Sequence, residues 1–268
     1  RYGYGFTSAN LYRPLPLILF AFQWELAPDN AAFAHWMNVL FYAFSIVLLF
    51  YFLLKLFGKQ NLGIAFLSSL LFSLHPIHTE VVANIKSADE LLAFIFILSS
   101  MIYLLKNIDT GSVKYLYISL VFFTLAFFSK ENTVTFLAVI PVSLIFFRSY
   151  NFKNAIIKTL PYFIPFIIYM ISRINVLGSF SGNKTIAKID NLLMAAPNEA
   201  VRIATAIKIL GLYLWKLIVP YPLMNDYSMQ QITLSNFQDW KVILSFITYS
   251  ILIFLVFKLR KKHKILSF

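Results

Sequence analysis

The sequence predicts an all-α, polytopic membrane protein in which about seven helices span the bilayer and others lie at its surface. Hydrophobic residues make up 60% of the 268 residues and charged residues only 13%. The mean hydropathy of +0.75 lies well above the range of soluble domains. Apolar runs close to the roughly 20 residues that a span needs recur along the chain. Lys and Arg collect in the short connectors between these runs.

The first element is predicted before the bundle begins. Residues 1–31 precede the first complete apolar run and are expected to form an external loop. A short amphipathic helix is expected in that loop after Pro14 and Pro16. The chain starts at Arg1 and carries a basic end, so we expect it to be part of a longer protein.

Residues 32–173 are predicted to form a transmembrane bundle, because this part of the chain holds most of the apolar runs. A further span is expected at 240–258, within a final segment 239–268 that ends in a basic cytoplasmic tail. The apolar runs of the bundle, each predicted to be a helix, cover residues 32–57, 60–76, 88–106, 114–129, 132–148 and 155–173.

The basic connectors orient these helices, because cytoplasmic loops carry an excess of Lys and Arg. Connectors 58–61, 107–113 and 149–154 are predicted to lie inside, and loops 77–87 and 129–132 outside. The total of 23 basic residues against 11 acidic ones therefore reflects topology. Nothing in the pattern favours nucleic acid as a partner.

Residues 174–238 are predicted to form an external segment with a re-entrant or interfacial helix at 200–220. The tail after Lys258 is expected inside, and 221–238, which lacks Lys and Arg, outside. The helix would then begin and end on one face, and its three basic residues favour an interfacial position. The alternative is that 174–199 is cytoplasmic, which the two lysines within it permit.

The most informative stretch packs two histidines, three carboxylates and a lysine between two apolar runs. Desolvating an ionisable group beside hydrocarbon costs several kcal/mol, so such groups mark functional sites by default. The ionisable residues of this stretch are His75, His78, Glu80, Lys86, Asp89 and Glu90.

Part of the stretch also fits a helix start. Ser87 and Glu90 match the capping box S-x-x-E, which explains the acidic end of the stretch as well as a site does. Capping explains His75, His78 and Glu80 poorly, and a site role is favoured for these three.

If Pro76 begins a helix, His75, His78 and Lys86 fall within about 60° of one direction. The His-x-x-His spacing occurs in zinc sites, but no third ligand is evident beyond Glu80. The chain has no cysteine, which excludes thiolate ligands. No cofactor is assigned from the sequence, and a divalent metal stays open.

A second polar cluster, residues 129–132, separates two apolar runs. One interpretation is that Glu131 holds Lys130 ready for a phosphate group. The other is an ion-paired helix connector, and the sequence favours neither. Arg173, at the outer end of an apolar helix, is either a snorkelling arginine or a phosphate clamp.

Weaker signals complete the set. Arg13 precedes the first span, and His35 and Asn38 lie three residues apart near its start. Asp226, next to Tyr227, either faces an acceptor or belongs to a turn. The chain has no Walker, G-x-G-x-x-G or G-x-S-x-G motif, so an activated donor would have to arrive on a lipid.

Taken in order, these motifs resemble the membrane half of the TMTC proteins, the transmembrane and tetratricopeptide-repeat O-mannosyltransferases of the GT-C glycosyltransferase class. The resemblance covers nearly the whole chain. The motifs that carry it are Tyr12-Arg13-Pro14-Leu15, His35-x-x-Asn38, His75-Pro76-x-His78-Thr79-Glu80, Ser129-Lys130-Glu131 and Asp226-Tyr227-Ser228.

The resemblance implies a GT-C-like helical bundle that moves a sugar from a polyprenyl-phosphate carrier to a hydroxyl of an acceptor protein on the outer face. Such enzymes place a catalytic Asp in the first external loop, which we expect upstream of Arg1. Glu80 and Asp226 would assist that Asp. The residues expected to bind the donor or its phosphate are His75, His78, Lys86, Lys130, Glu131 and Arg173. Arg13, His35, Asn38 and Tyr227 are the remaining candidates for the site.

Other functions stay open. A GT-C transferase that modifies an envelope lipid or glycan differs only in its acceptor. A transporter of lipid-linked glycans needs charges at mid-membrane, which the spans 88–106 and 132–148 do not offer. A non-catalytic membrane subunit is the third alternative. The absence of cysteine and the abundance of Phe, Ile, Lys and Asn favour a bacterial inner membrane, with the site facing the periplasm.

Overall fold

The fold is all-α, as the sequence predicts. The computed structural model describes residues 11–178, 192–224, 227, 231–260 and 262–268, and all regular structure in those ranges is helical. The chain divides into two compact units. The first consists of Arg1–Leu74 with His78–Asn183, and the second of His75–Ile77 with Lys184–Phe268.

The first unit contains helices at nearly every apolar run. Pro14 begins the first of them, as proline in a first helical turn predicts. The helices are α1 Pro14–Leu26, α2 Ala31–Phe57, α3 Leu62–Leu74, α4 Thr79–Ala83, α5 Ala88–Thr110, α6 Val113–Ser129, α7 Phe136–Phe147, α8 Phe152–Thr159 and α9 Phe163–Leu177.

Helices α5 and α6 form an antiparallel hairpin at the centre of this unit. Gly111 ends α5 in the left-handed conformation (φ 71°), which lets the chain reverse at once. Met101 and Leu105 of α5 are fully buried with Phe123 and Phe127 of α6. The Phe127 ring stacks on Tyr169 of α9, with centroids 5.5 Å apart. The hairpin returns the end of α6 to the start of α5, where the candidate site lies.

At the opposite end of the unit, Asp109 forms ion pairs that connect α5 with α2 and with the end of α7. Its carboxylate lies 3.1 Å from Nζ of Lys55 and 2.9 Å from Nε of Arg148. Arg148 Nη2 also donates to the carbonyl oxygen of Lys55 (2.9 Å), which satisfies the free end of α2. The C-terminal ends of α2, α5 and α7, which lead into the three basic connectors, therefore meet at one end of the unit.

The predicted count of about seven spans is not confirmed. Among the described residues, four helices are long and apolar enough to cross a membrane, and five if the bent pair Lys59–Leu74 and Pro76–Ala83 is one span. The four are Ala31–Phe57, Ile85–Thr110, Phe152–Leu177 and Trp240–Leu259. The shortfall lies in α6 and α7, which have 17 and 12 residues. A bilayer core needs about 20.

The second unit contains α10 Glu199–Ile218, α11 Trp240–Leu259 and the single turn α12 Lys264–Ser267. Helix α10 is not among the four membrane-capable helices, so the prediction of an interfacial helix at 200–220 stays open. Its buried lysine, Lys208, donates to the hydroxyls of Thr233 (3.0 Å) and Ser235 (2.7 Å). These bonds tie α10 to the segment that leads into α11.

Helices α10 and α11 approach each other closely at Gly211. A Cβ atom there would lie 1.9 Å from Oγ and 2.7 Å from Cβ of Ser245. We expect Gly211→Ala to lower the free energy of unfolding by about 1–3 kcal/mol, as overpacking does. Thermal unfolding in detergent measures it, with Gly63→Ala as control, because a Cβ on Gly63 meets nothing within 4 Å. Equal melting temperatures for both variants would contradict this account of the packing.

Candidate active site

Five ionisable side chains meet where α1, α5 and α6 come together, and we call them the charged cluster: Arg13, Asp89, Glu90, Lys130 and Glu131. Arg13 grips Glu131 with two parallel bonds, from Nε to Oε2 (2.8 Å) and from Nη2 to Oε1 (2.5 Å). Its Nη1 donates to Oδ2 of Asp89. This bidentate geometry is one that arginine provides and lysine does not.

Lys130 completes the charged cluster from the end of α6. Its Nζ donates to Oε1 of Glu90 and lies 3.7 Å from Oδ2 of Asp89. Asp89 is 5% exposed and stands between the two cations. Of the two interpretations of residues 129–132, the one in which Glu131 holds Lys130 does not match the ion pairs of the structure. Glu131 begins a 3₁₀ turn after α6 and its carboxylate pairs with Arg13 instead.

The charged cluster is ionic and carries one excess negative charge, because two cations face three carboxylates. Burial acts to raise the pKa of Glu131, but the hydrogen bonds and charge of Arg13 outweigh it and hold that pKa below its ordinary value. Arg13 uses three of its five N–H groups on these carboxylates, which leaves two for a further acceptor.

Glu80 belongs to a second feature, a hydrogen-bond chain that runs through Asn84 to Asn38. Nδ2 of Asn84 donates to Oε1 of Glu80 (2.8 Å), and Oδ1 of Asn84 accepts from the backbone N–H of Lys86 (3.1 Å). The carbonyl oxygen of Asn84 accepts from Nδ2 of Asn38 (3.0 Å). Asn38 is fully buried in α2, and its Oδ1 has no partner among the described residues.

Asn84 also breaks the helix that Pro76 was expected to begin. A 3₁₀ turn covers Pro76–His78, α4 ends at Ala83, and Asn84 is extended (φ −86°, ψ 113°). The prediction that His75, His78 and Lys86 share one helical face is therefore wrong. The side chain of Lys86 is exposed. Helix α5 does begin after Ser87, although the Ser87 side chain makes no capping bond.

The histidines have separate environments. The ring of His78 packs on Phe72 (centroids 4.2 Å apart) and near Tyr42 (5.9 Å). His75, in the second unit, accepts from the backbone N–H of Ile77 at Nδ1 (3.2 Å), and its Nε2 lies 3.1 Å from the carbonyl oxygen of Leu217. His35 is exposed on α2, whereas Asn38 of the same motif is buried.

The metal prediction finds no support in the part of the chain that the structure describes. No group of three or more His, Cys, Asp or Glu side chains there is arranged to hold a metal ion. Both ring nitrogens of His75 lie within hydrogen-bond distance of backbone groups.

Arg173 lies at the same end of the first unit as Arg13. Its Nη1 is 3.5 Å from the hydroxyl of Tyr169, and that hydroxyl donates to the carbonyl oxygen of Tyr12 (3.4 Å). The Tyr12 ring also packs on Tyr169, with centroids 6.0 Å apart. The structure therefore brings the motifs at 12–15, 129–131 and 173 together.

The motif at 225–228 is only partly visible. Asp226 lies outside the described residues. Tyr227 is exposed, and its hydroxyl accepts from the backbone N–H of Met224 (3.2 Å). No role for either residue can be read from these contacts.

For Asp89 and Glu90 the sequence left a helix start and a site equally open, and in the structure both residues begin α5 and join the charged cluster. Asn84 was not among the candidates from the sequence. The sequence signal for a site at Asp89 and Glu90 was their negative charge, because carboxylates at the start of an apolar helix need cationic partners. No sequence pattern pointed to Asn84, because its hydrogen bonds to Glu80, Lys86 and Asn38 depend on how the chain turns between α4 and α5.

The apolar helices and the charged cluster define an integral membrane protein with an ionic site at one end of a helical bundle. Residues 13–173 match the family described as dolichyl-phosphate-mannose-protein mannosyltransferase, and residues 183–253 match the one described as Protein O-mannosyl-transferase TMTC, DUF1736. The chain belongs to this mannosyltransferase family and is of the TMTC type. The first match begins at Arg13, in the charged cluster.

The relatives that the chain matches are named as members of the same family. Protein O-mannosyl-transferase TMTC1 of Homo sapiens is 32% identical over 50% of this chain and 16% of its own length. TMTC4 of Mus musculus is 26% identical over 94% of this chain and 40% of its own length. For TMTC2 of Mus musculus the identity is 28%, over 93% and 32%. The chain thus spans less than half of each of these relatives. No solved structure matches it.

Proposed function

We propose that this chain is the membrane part of a glycosyltransferase that moves mannose from a polyprenyl-phosphate carrier to a hydroxyl of an acceptor protein. The family match and the names of the relatives support this activity. The observation that carries the proposal is the charged cluster, which lies at the ends of apolar helices. A lipid-linked phosphate sits at such a boundary, where the tail meets hydrocarbon and the headgroup meets water.

The leaving group of this reaction is a lipid phosphate, whose departure needs positive charge or N–H donors close by. Lys130 is the best placed donor, because its partner Glu90 is the most exposed carboxylate of the charged cluster, with 41% of its side chain accessible. Two N–H groups of Arg13 make no bond to the carboxylates of the charged cluster. Asp89 and Glu131 orient Arg13, and Asp89 also orients Lys130. The phosphate would replace Glu90 at Lys130, and the two cations of the charged cluster would face its negative charge.

The acceptor hydroxyl needs a carboxylate base. Glu80 is exposed, and Asn84 fixes its carboxylate, so it is suited to assist a catalytic Asp on the same face. The roles of His75, His78, Lys86, Arg173 and Asp226 remain proposals that rest on the sequence resemblance. We place the reaction at the outer face of a bacterial inner membrane, toward the periplasm, because the basic connectors gather at the other end of the first unit.

The test compares two lysines that hold equivalent ion pairs at opposite ends of the same unit. Lys130→Ala in the full-length protein is expected to lower mannosyl transfer from a polyprenyl-phosphate donor about a hundredfold, as loss of one charge-stabilising donor does. Lys55→Ala removes the lysine that lies 3.1 Å from Asp109 and should leave transfer within about twofold of the natural protein.

Transfer by proteoliposomes that hold equal amounts of each folded variant is the measurement. Equal activities for the two variants would contradict a phosphate role for Lys130. Absence of transfer from any polyprenyl-phosphate sugar in the natural protein would overturn the proposed activity itself.

A further inference from the structure

The end of α11 carries a concentrated positive charge. After Asp239 the sequence contains no acidic residue. Four basic side chains that the structure describes there are exposed, and we call them the basic patch: Lys258, Arg260, Lys262 and Lys264. No ion pair involves any of them within the described part of the chain.

The backbone concentrates these charges at the helix end. The N–H groups of Lys262 and His263 both donate to the carbonyl oxygen of Leu259, at 3.0 and 2.8 Å, which keeps these two residues close to the end of α11. The short helix α12 then begins at Lys264. The basic patch is therefore compact, although its residues belong to a helix, a turn and a second helix.

Apolar side chains accompany the cations. Lys258 lies over the ring of Phe254 (5.9 Å) and Arg260 over the ring of Phe257 (5.3 Å). Leu266, on α12, is 80% exposed. Cations beside exposed apolar groups at the end of a membrane-capable helix match the boundary where headgroups meet hydrocarbon.

We propose that the basic patch binds the headgroups of anionic phospholipids. Lys258 lies in the last turn of α11 and complements the dipole of that helix. The other three cations of the basic patch are not explained by the dipole. A headgroup phosphate offers charge that no carboxylate of this segment supplies. Each Lys or Arg near an anionic surface strengthens binding about fivefold. This inference does not depend on the proposed transferase activity.

The test uses the purified full-length protein in a non-ionic detergent, with phosphatidylglycerol or phosphatidylcholine added. Lipid retained in native mass spectrometry and the shift in melting temperature are the two readouts. The variant Arg260→Gln/Lys262→Gln/Lys264→Gln is compared with Arg202→Gln/Lys216→Gln/Lys241→Gln, which removes the same charge elsewhere in the second unit. The control cations have partners of their own: Glu199, the carbonyl oxygen of Pro222 and the Trp240 ring.

We expect the natural protein and the control to retain phosphatidylglycerol in preference to phosphatidylcholine. The basic-patch variant should lose about tenfold or more of that preference. The inference is overturned if the preference is unchanged in the basic-patch variant, if the control loses it equally, or if inorganic phosphate at the same concentration stabilises the natural protein as much as the lipid does.

Discussion

Arg13→Met is expected to lower the free energy of unfolding by about 3 kcal/mol, because it leaves carboxylates without their cation in a low-dielectric site. The substitution removes all three hydrogen bonds of the guanidinium. Asp89, which is 5% exposed, keeps Lys130 as a cation at 3.7 Å and the backbone N–H of Glu90 at 2.7 Å. Unfolding in mixed micelles measures the change. Arg13→Lys should recover little of it, since an ammonium cannot form the fork on Glu131.

The decisive control neutralises the stranded carboxylates. The triple variant Arg13→Met/Asp89→Asn/Glu131→Gln should be more stable than Arg13→Met alone, because the loss comes from carboxylates left without a cation in a partly buried site and not from lost packing. A triple variant no more stable than the single one would refute this account. So would a cost for Arg13→Met below about 1 kcal/mol, which is what a surface ion pair contributes.

The helices could be predicted from the sequence, because apolar length and proline position act locally. Helix α2 at Ala31–Phe57 and α11 at Trp240–Leu259 fall within a residue or two of the predicted runs 32–57 and 240–258. The number of spans could not be predicted in the same way. The run 132–148 contains a 3₁₀ turn before α7, and such a turn depends on the contacts that Glu131 makes.

The partners within the site were beyond sequence reasoning, since they depend on how distant segments meet. One interpretation of the sequence paired Glu131 with Lys130, because the two residues are adjacent. In the structure the α5–α6 hairpin brings Glu90 to Lys130, and Glu131 pairs with Arg13, which is 118 residues away in the sequence. The locations of the polar motifs were informative, because a charge at the end of an apolar helix is costly wherever it occurs.

The substitution Asn84→Asp is expected to lower transfer strongly while the protein stays folded. Asn84→Asp keeps the acceptor that caps the N–H of Lys86, and it replaces the amide donor that holds Glu80 with a second carboxylate. The loop should therefore fold as before while Glu80 is repelled from its position. We expect transfer to fall about tenfold to a hundredfold, as displacement of a reacting group by about 1 Å does. Transfer assays and unfolding curves on the same preparations measure both quantities.

The double variant Glu80→Gln/Asn84→Asp separates position from chemistry. Its glutamine can donate to the new aspartate, which restores the hydrogen bond and any stability lost by Asn84→Asp. It lacks the carboxylate, so transfer should stay as low as in Glu80→Gln alone, about a hundredfold or more below the natural protein. Recovery of transfer together with stability would mean that Glu80 and Asn84 only shape the loop. Recovery of stability without transfer would assign the carboxylate to the reaction and Asn84 to its placement, with the buried Asn38 holding Asn84 from behind.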